Sequence, residues 1–215
     1  MKIFALDSST EKIVMVYKDN EKILTFSYKG KDKHGKNIGL LSQKLKDLGI
    51  DFYGLDIIGV GIGPGSITGL RVGISFALGL GLGKKMVTIP STKIIAANLL
   101  NCGKNIVVAR KARQGYLYGA VYDSKLNVLI EPFINSIDGF RKVISKCSDY
   151  IVIGDGSEFL EDNGLKDDFN YPSPERLLYV FEREIESENF AETVQPLYLQ
   201  KSIAEINFEK RRKGE

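Results

Sequence analysis

The feature that most constrains the fold is a repeat. "VMVYKDNEKILTF" (14–26) and "GAVYDSKLNVLIE" (119–131) share one layout: a strand, a Tyr, a polar turn and a second strand. "DIIGVGIGPGSITGL" (56–70) and "DYIVIGDGSEFL" (149–160) share another, an Asp and a β-rich run followed by glycines and a Ser that opens a helix. Two matches in the same order, roughly a hundred residues apart, indicate an internal duplication. The repeated unit reads strand, strand, strand, helix, strand, helix. It predicts two α/β domains facing each other, residues 1–101 and 102–215, divided near "NLLNCGKN". In such folds ligands sit where glycine turns leave strand ends. The tail from Leu197 reads as ending in a helix anchored by Ile203 and Ile206 and able to pack back on the N-terminal domain.

Between the repeats lie two helical patterns. Ile38, Leu41, Leu45 and Leu48 recur at helical spacing until Gly49 stops the run. From Thr68 on, Gly69, Gly73, Ala77 and Gly81 make a stripe of small residues. Leu70, Ile74, Leu78 and Leu82 lie beside it, and Val72, Phe76 and Leu80 fill another side. Arg71 and Ser75 are the main polar breaks. A helix apolar on all sides has to be covered on more than one of them. Each glycine costs about 1 kcal/mol against alanine in a helix, a loss that close approach of another helix can offset. The covering neighbour is the 38–48 helix, a second protein, or both.

Several residues are candidates for chemistry. Asp7, Ser8, Ser9 and Thr10 form a strand-to-strand turn. Such a turn either holds phosphate oxygens and a metal or satisfies itself by local hydrogen bonds. The matching turn of the second half reads as Lys111 in the place of Asp7, with Arg113 beyond it, which gives a cation where a second carboxylate would hold a metal. Gly154, Asp155 and Gly156 make the second glycine turn, where Asp155 either meets a ribose or bends the chain. "GIGPGSITGLR" lacks the Lys-Ser or Lys-Thr of a Walker loop and the third glycine of a dinucleotide fingerprint. An anion at the helix start near Ser66 and Thr68 stays open.

His34 is the sole histidine and has no helical partner, so a zinc or iron pair is not predicted, and it reads as a solvated residue of "KGKDKHGK". That stretch and "EKRRKGE" are the basic features of a chain with net charge +3. They permit weak contact with RNA without requiring it. Cys102 and Cys147 match no zinc or redox spacing, which points to reduced thiols and a cytoplasmic protein. The run 69–83 is shorter than a membrane span and contains Arg71.

"FALDSSTEKIVMV", "GVGIGPGSITGLRVGISFALGLG", "GYLYGAVYD" and "QPLYL", in that order, resemble the signature segments of the TsaB (YeaZ) family. The resemblance implies an actin/Hsp70-like (ASKHA, ribonuclease H-like) fold of two duplicated domains, each a mixed sheet with helices. It implies a non-catalytic subunit of the complex that forms N6-threonylcarbamoyladenosine at position 37 of tRNAs reading A-starting codons. The expected partners are a TsaD-type catalytic subunit, which would carry the ATP and metal, and a TsaE-type ATPase, with tRNA met through the complex and a homodimer possible. Carried onto this chain, the pairing surface maps to Ile38, Leu41, Leu45, Leu48, Gly69, Leu70, Gly73, Ile74, Ala77, Leu78 and Gly81. Vestigial nucleotide turns map to Asp7–Thr10 and Gly154–Gly156. The family usually has Asp-Ala-Arg where this chain has Lys111-Ala112-Arg113. A nucleotide-dependent phosphotransferase or ATPase using Asp7 is the alternative. A metalloprotease is disfavoured for want of ligands and a nucleophile–base set.

Overall fold

The computed structural model describes residues 1–30, 34–113, 115–160, 165 and 167–200, with backbone alone for 34–36. The proposed solvated role of His34 and the proposed tail helix with Ile203 and Ile206 lie outside the described residues. The first half runs β1 (Lys2–Asp7), β2 (Lys12–Asp19), β3 (Lys22–Lys29), α1 (His34–Asp47), β4 (Ile57–Gly61), α2 (Ile67–Leu80), β5 (Lys85–Ile89) and α3 (Ser91–Ala96). The second runs β6 (Asn105–Lys111), β7 (Tyr116–Tyr122), β8 (Val128–Ser136), α4 (Ile137–Ile144), β9 (Tyr150–Ile153) and α5 (Pro174–Glu186).

The sheets have strand orders β3-β2-β1-β4-β5 and β8-β7-β6-β9. In each, a hairpin pair is followed by a parallel strand docked on the other side of the first strand. Each half is thus a mixed sheet with helices, as the sequence repeat predicts. The second copy differs from the expected unit in two ways. Among its described residues no strand matches β5, and "DGSEFL" forms one 3-10 turn, Ser157–Phe159, rather than a helix.

The central strands are apolar on both faces because both faces are covered. Ile3 and Ala5 of β1, Val14 and Val16 of β2, and Ile106 and Val108 of β6 enter one core between the two sheets. Phe4, Leu6, Ile13 and Met15 face the opposite way, under α1 and α2. Val107, Ala109 and Val121 face α4. Helices cross between the halves to fill the middle. α5 packs on β1, β2 and β5, while α3 packs on β6 and β7. Phe181 of α5 is fully buried, and a side chain on Gly59 of β4 would meet its ring at 2.7 Å.

The alternation corrects the sequence repeat. Tyr17 and Tyr122 match in the letters, yet Tyr17 lies in the core under α1 and α2 and Tyr122 in the core between the sheets. A one-residue slip reverses the face of a strand residue. The two copies are therefore offset by one residue from the alignment that the letters suggest.

The small-residue stripe of α2 is used inside the chain. Gly69, Leu70, Gly73, Ile74 and Ala77 are buried against the first sheet. A Cβ on Gly73 would lie 2.0 Å from Ser8 Oγ, and that hydroxyl donates to Gly69 O at 2.8 Å. Helix and strand end thus approach closely enough to need glycine.

Phe181→Ala should lower unfolding free energy by about 3–5 kcal/mol, the usual cost of emptying a fully buried aromatic site, measured by urea denaturation. Between α3 and α5, Lys93 Nζ donates to Glu184 Oε1 at 2.5 Å. Burial raises the Glu184 pKa, but hydrogen bonds from Lys93 and Asn189 outweigh it and leave the pKa below the ordinary value. The stabilisation is complete above the unfolded carboxyl pKa of about 4.3 and is lost as pH falls through the lower folded value. Acid unfolding curves of Lys93→Met should lack that component.

Candidate functional site

Two regions carry the residues singled out by sequence: the cleft where the sheets' strand ends face each other, and the outer face of α1 and α2. In the cleft, Asp7, Ser8, Ser9 and Thr10 are all buried. Asp7 Oδ1 accepts from Ser9 N at 3.0 Å and Ser9 Oγ at 2.8 Å, and Oδ2 accepts from Ser91 Oγ at 2.5 Å. Ser91 Oγ in turn accepts from Gly63 N at 2.9 Å. Gly61 leaves room for this carboxylate, since a Cβ there would stand 1.9 Å from Asp7 Oδ2. Both carboxylate oxygens are directed into the chain's own donors.

The second half brings a different residue to this place than the sequence alignment gives. Asp7 continues the inward face of Ile3 and Ala5, and Arg110 continues the inward face of Ile106 and Val108. Lys111 points the other way and pairs with Glu158 at 2.8 Å, a hydrogen bond that raises its pKa. The residue facing the cleft opposite Asp7 is therefore Arg110, not Lys111. Its guanidinium is 3% exposed and donates from Nη1 to Pro64 O (2.7 Å) and Ser9 Oγ (3.2 Å), and from Nη2 to Ser9 O (3.2 Å). Nε lies 3.6 Å from Asp155 Oδ1.

The second glycine turn packs as backbone against backbone. Gly156 N donates to Ala109 O at 3.0 Å, Gly154 N to Asn170 Oδ1 at 2.9 Å, and Asp155 Oδ1 accepts from Lys111 N at 3.0 Å. The structure thus brings Ser9, Thr10 and Asp155 to one cavity of about 540 Å³, together with the α2 start, Arg110, Lys111, Arg113 and Tyr171. Burial, then the Glu11 carboxylate that accepts from its hydroxyl, push the Tyr171 phenol up to about 12. Asp7 does not line the cavity. A nucleotide–metal complex does not fit these residues, because the first-half acid is turned inward and the second half presents an arginine. Among the described residues there is no group of three or more His, Cys, Asp or Glu placed to hold a metal ion.

On the outer face, Ile38, Leu41 and Leu45 are buried in the chain's own core with Leu70, Ile74 and Ala77, and Gly81 is buried against Met86. These residues, with Gly69 and Gly73, make their contacts within the chain. Leu48, Leu78 and Leu82 remain exposed, joined by Leu40 and Tyr53, which periodicity had not singled out. Leu82 and Tyr53 line a cavity of about 660 Å³ with Ile50, Leu80, Lys46 and Lys84. Arg110 was also missed by sequence. Its signal is alternation, since a charge that continues the inward face of an apolar strand has to find buried partners.

A family model described as TsaD: tRNA N6-adenosine threonylcarbamoyltransferase matches residues 28–160. The chain belongs to this family. Its relatives include proteins named TsaB. The tRNA threonylcarbamoyladenosine biosynthesis protein TsaB of Haemophilus influenzae is 31% identical over 123 residues, 54% of this chain and 51% of that protein. The protein of the same name from Escherichia coli is 28% identical over 132 residues, 59% of this chain and 57% of that one. The chain spans about half the length of these curated relatives. YeaZ from Pseudomonas aeruginosa has the same fold, with a TM-score of 0.78 at 20% identity over 92% of this chain and 99% of that chain. Among the described residues no helix is long and apolar enough to cross a membrane.

Ser91→Ala removes both a donor to the buried Asp7 carboxylate and the acceptor of Gly63 N–H. It should cost about 1–3 kcal/mol, the penalty for an unsatisfied buried group, read as a lower urea midpoint with unchanged slope.

Proposed function

We propose that this chain is a non-catalytic scaffold subunit for forming N6-threonylcarbamoyladenosine at position 37 of tRNAs reading A-starting codons. It would act by pairing with a TsaD-type catalytic subunit, which carries the ATP and metal, while a TsaE-type ATPase joins the pair and tRNA is met through the complex. The observation that carries this reading is the sealed cleft floor. Asp7 is fully buried and held by Ser9 and Ser91, and a guanidinium faces it where a second carboxylate would be needed. Such a floor lacks the open acidic pair that would position a metal on phosphates. Residues 1–101 and 102–215 are read as the two units of the duplication.

The outer face of α1 and α2 supports a pairing role through the residues it leaves uncovered. Leu40, Leu78 and Leu82 are large, apolar and exposed on or just beyond adjacent helices, and exposed apolar groups of this kind mark interaction sites when contiguous. The same face would serve a homodimer, so the two assemblies would compete. Charge belongs on the exposed members when this face is probed, because Gly73→Glu or Ala77→Glu would break the core before testing any interface.

Leu78→Glu and Leu40→Glu should leave the melting temperature of the chain nearly unchanged and weaken binding to the catalytic subunit by tenfold or more, about 1.4 kcal/mol, measured by calorimetry. In reconstitution, tRNA modification by the partner subunits should depend on adding this chain. ATP turnover by the chain alone, abolished by Asp7→Ala, would overturn the scaffold reading in favour of the ATPase.

A further inference from the structure

The unusual group in the cleft is Arg110. It is a charge with almost no exposure, supplied by the second half and consumed by the first. Its partners are mostly backbone oxygens of two glycine-rich or hydroxyl-rich turns: Ser9 O at the end of β1, and Pro64 O before α2. Ser9 Oγ accepts from Arg110 Nη1 and donates to Asp7, so the positive charge is coupled to the buried carboxylate through one hydroxyl. Asp155, from the second glycine turn, faces Nε at 3.6 Å, a distance of ion pairing without a hydrogen bond. The turn before α2 is shaped around the group, since a Cβ on Gly65 would stand 2.7 Å from Nη1 and 2.3 Å from Ser9 O.

These oxygens are what a small cation would seek: two carbonyls, a hydroxyl, and carboxylates at close range. A guanidinium satisfies them with a planar fork of donors. We propose that Arg110 is a built-in cation that ties the β1 and pre-α2 turns of one half to the Asp155 turn of the other, fixing the cleft without a metal or a nucleotide. Arg110 is thereby a positioning residue. It sets the spacing of the two glycine turns across the cleft, and the geometry is complete in the free chain. This goes beyond the scaffold reading and does not depend on it, since the test below reads the cleft and not tRNA modification.

The test uses the full chain. Arg110→Ala should lower the melting temperature and speed amide exchange at Ser66, whose N–H bonds Ser9 O, and at Gly156, whose N–H bonds Ala109 O, by about tenfold or more through local opening. Free guanidinium at about 10 mM, far below denaturing concentrations, should restore both readouts in this variant by mass action. It should leave the wild type unchanged, and sodium or urea at the same concentration should restore neither. A loss of stability without guanidinium rescue, or exchange at Ser66 and Gly156 that stays at wild-type rates, would overturn the proposal and leave Arg110 as packing. Should Arg110→Ala fail to fold, Arg110→Lys keeps the charge and the stem but loses the fork. Faster exchange confined to the two turns is then expected, and unchanged rates there would overturn the assignment equally.

Discussion

A sheet whose central strands are apolar on both faces has to be covered twice, and this chain meets that demand by exchanging helices between its halves. α5, from the end of the second half, lies on β1, β2 and β5, and α3, from the end of the first, lies on β6 and β7. The core that results contains Ile3, Val16, Ile106, Tyr122 and Phe181 together. Everything else is arranged around that shared middle layer. α1 and α2 close one outside face, α4 closes the other, and the strand ends meet as a cleft lined by turns.

The cleft shows how a site lined by glycine turns can be filled from within. Carbonyl oxygens, hydroxyls and a carboxylate at the mouth of two glycine turns would ordinarily call for a ligand's charge to balance them. Here the balance is internal: Ser91 and Ser9 hold Asp7, and Arg110 sits against Ser9, Pro64 and Asp155. Rim contacts add to this. Tyr171 donates to Glu11, and Lys29 lies 4.1 Å above the Tyr171 ring while pairing with Asp167. Exposed apolar side chains lie elsewhere, at Leu78, Leu82 and Tyr53.

Much of this was legible in the sequence, and the failures have physical causes. Hairpins turned where polar residues interrupted the β-rich runs, with Asn20 in a left-handed conformation. The helices containing Ile38 and Gly69 followed from 3.6-residue periodicity. What periodicity could not say was which partner covered each stripe. Gly73 reads the same whether Ser8 of the same chain or a foreign helix lies against it. Alignment of the two copies by shared letters failed for a sharper reason. Strand residues alternate in direction, so a match one residue out of step puts Tyr17 and Tyr122 on opposite faces and selects Lys111 over Arg110. Alternation along "NIVVARK" carried the needed information, because Ile106, Val108 and Arg110 share a face.

The exchange of helices also orders the events of synthesis. The first sheet is complete in sequence at Ile89, but one face of it is covered by Leu177, Val180 and Phe181. A chain emerging from the ribosome therefore carries an uncovered apolar sheet through nearly another hundred residues of elongation. At typical rates this lasts about 5–20 seconds, the condition in which unpaired apolar surface is most exposed to aggregation. The burden of keeping this chain soluble falls on that interval and ends when α5 arrives.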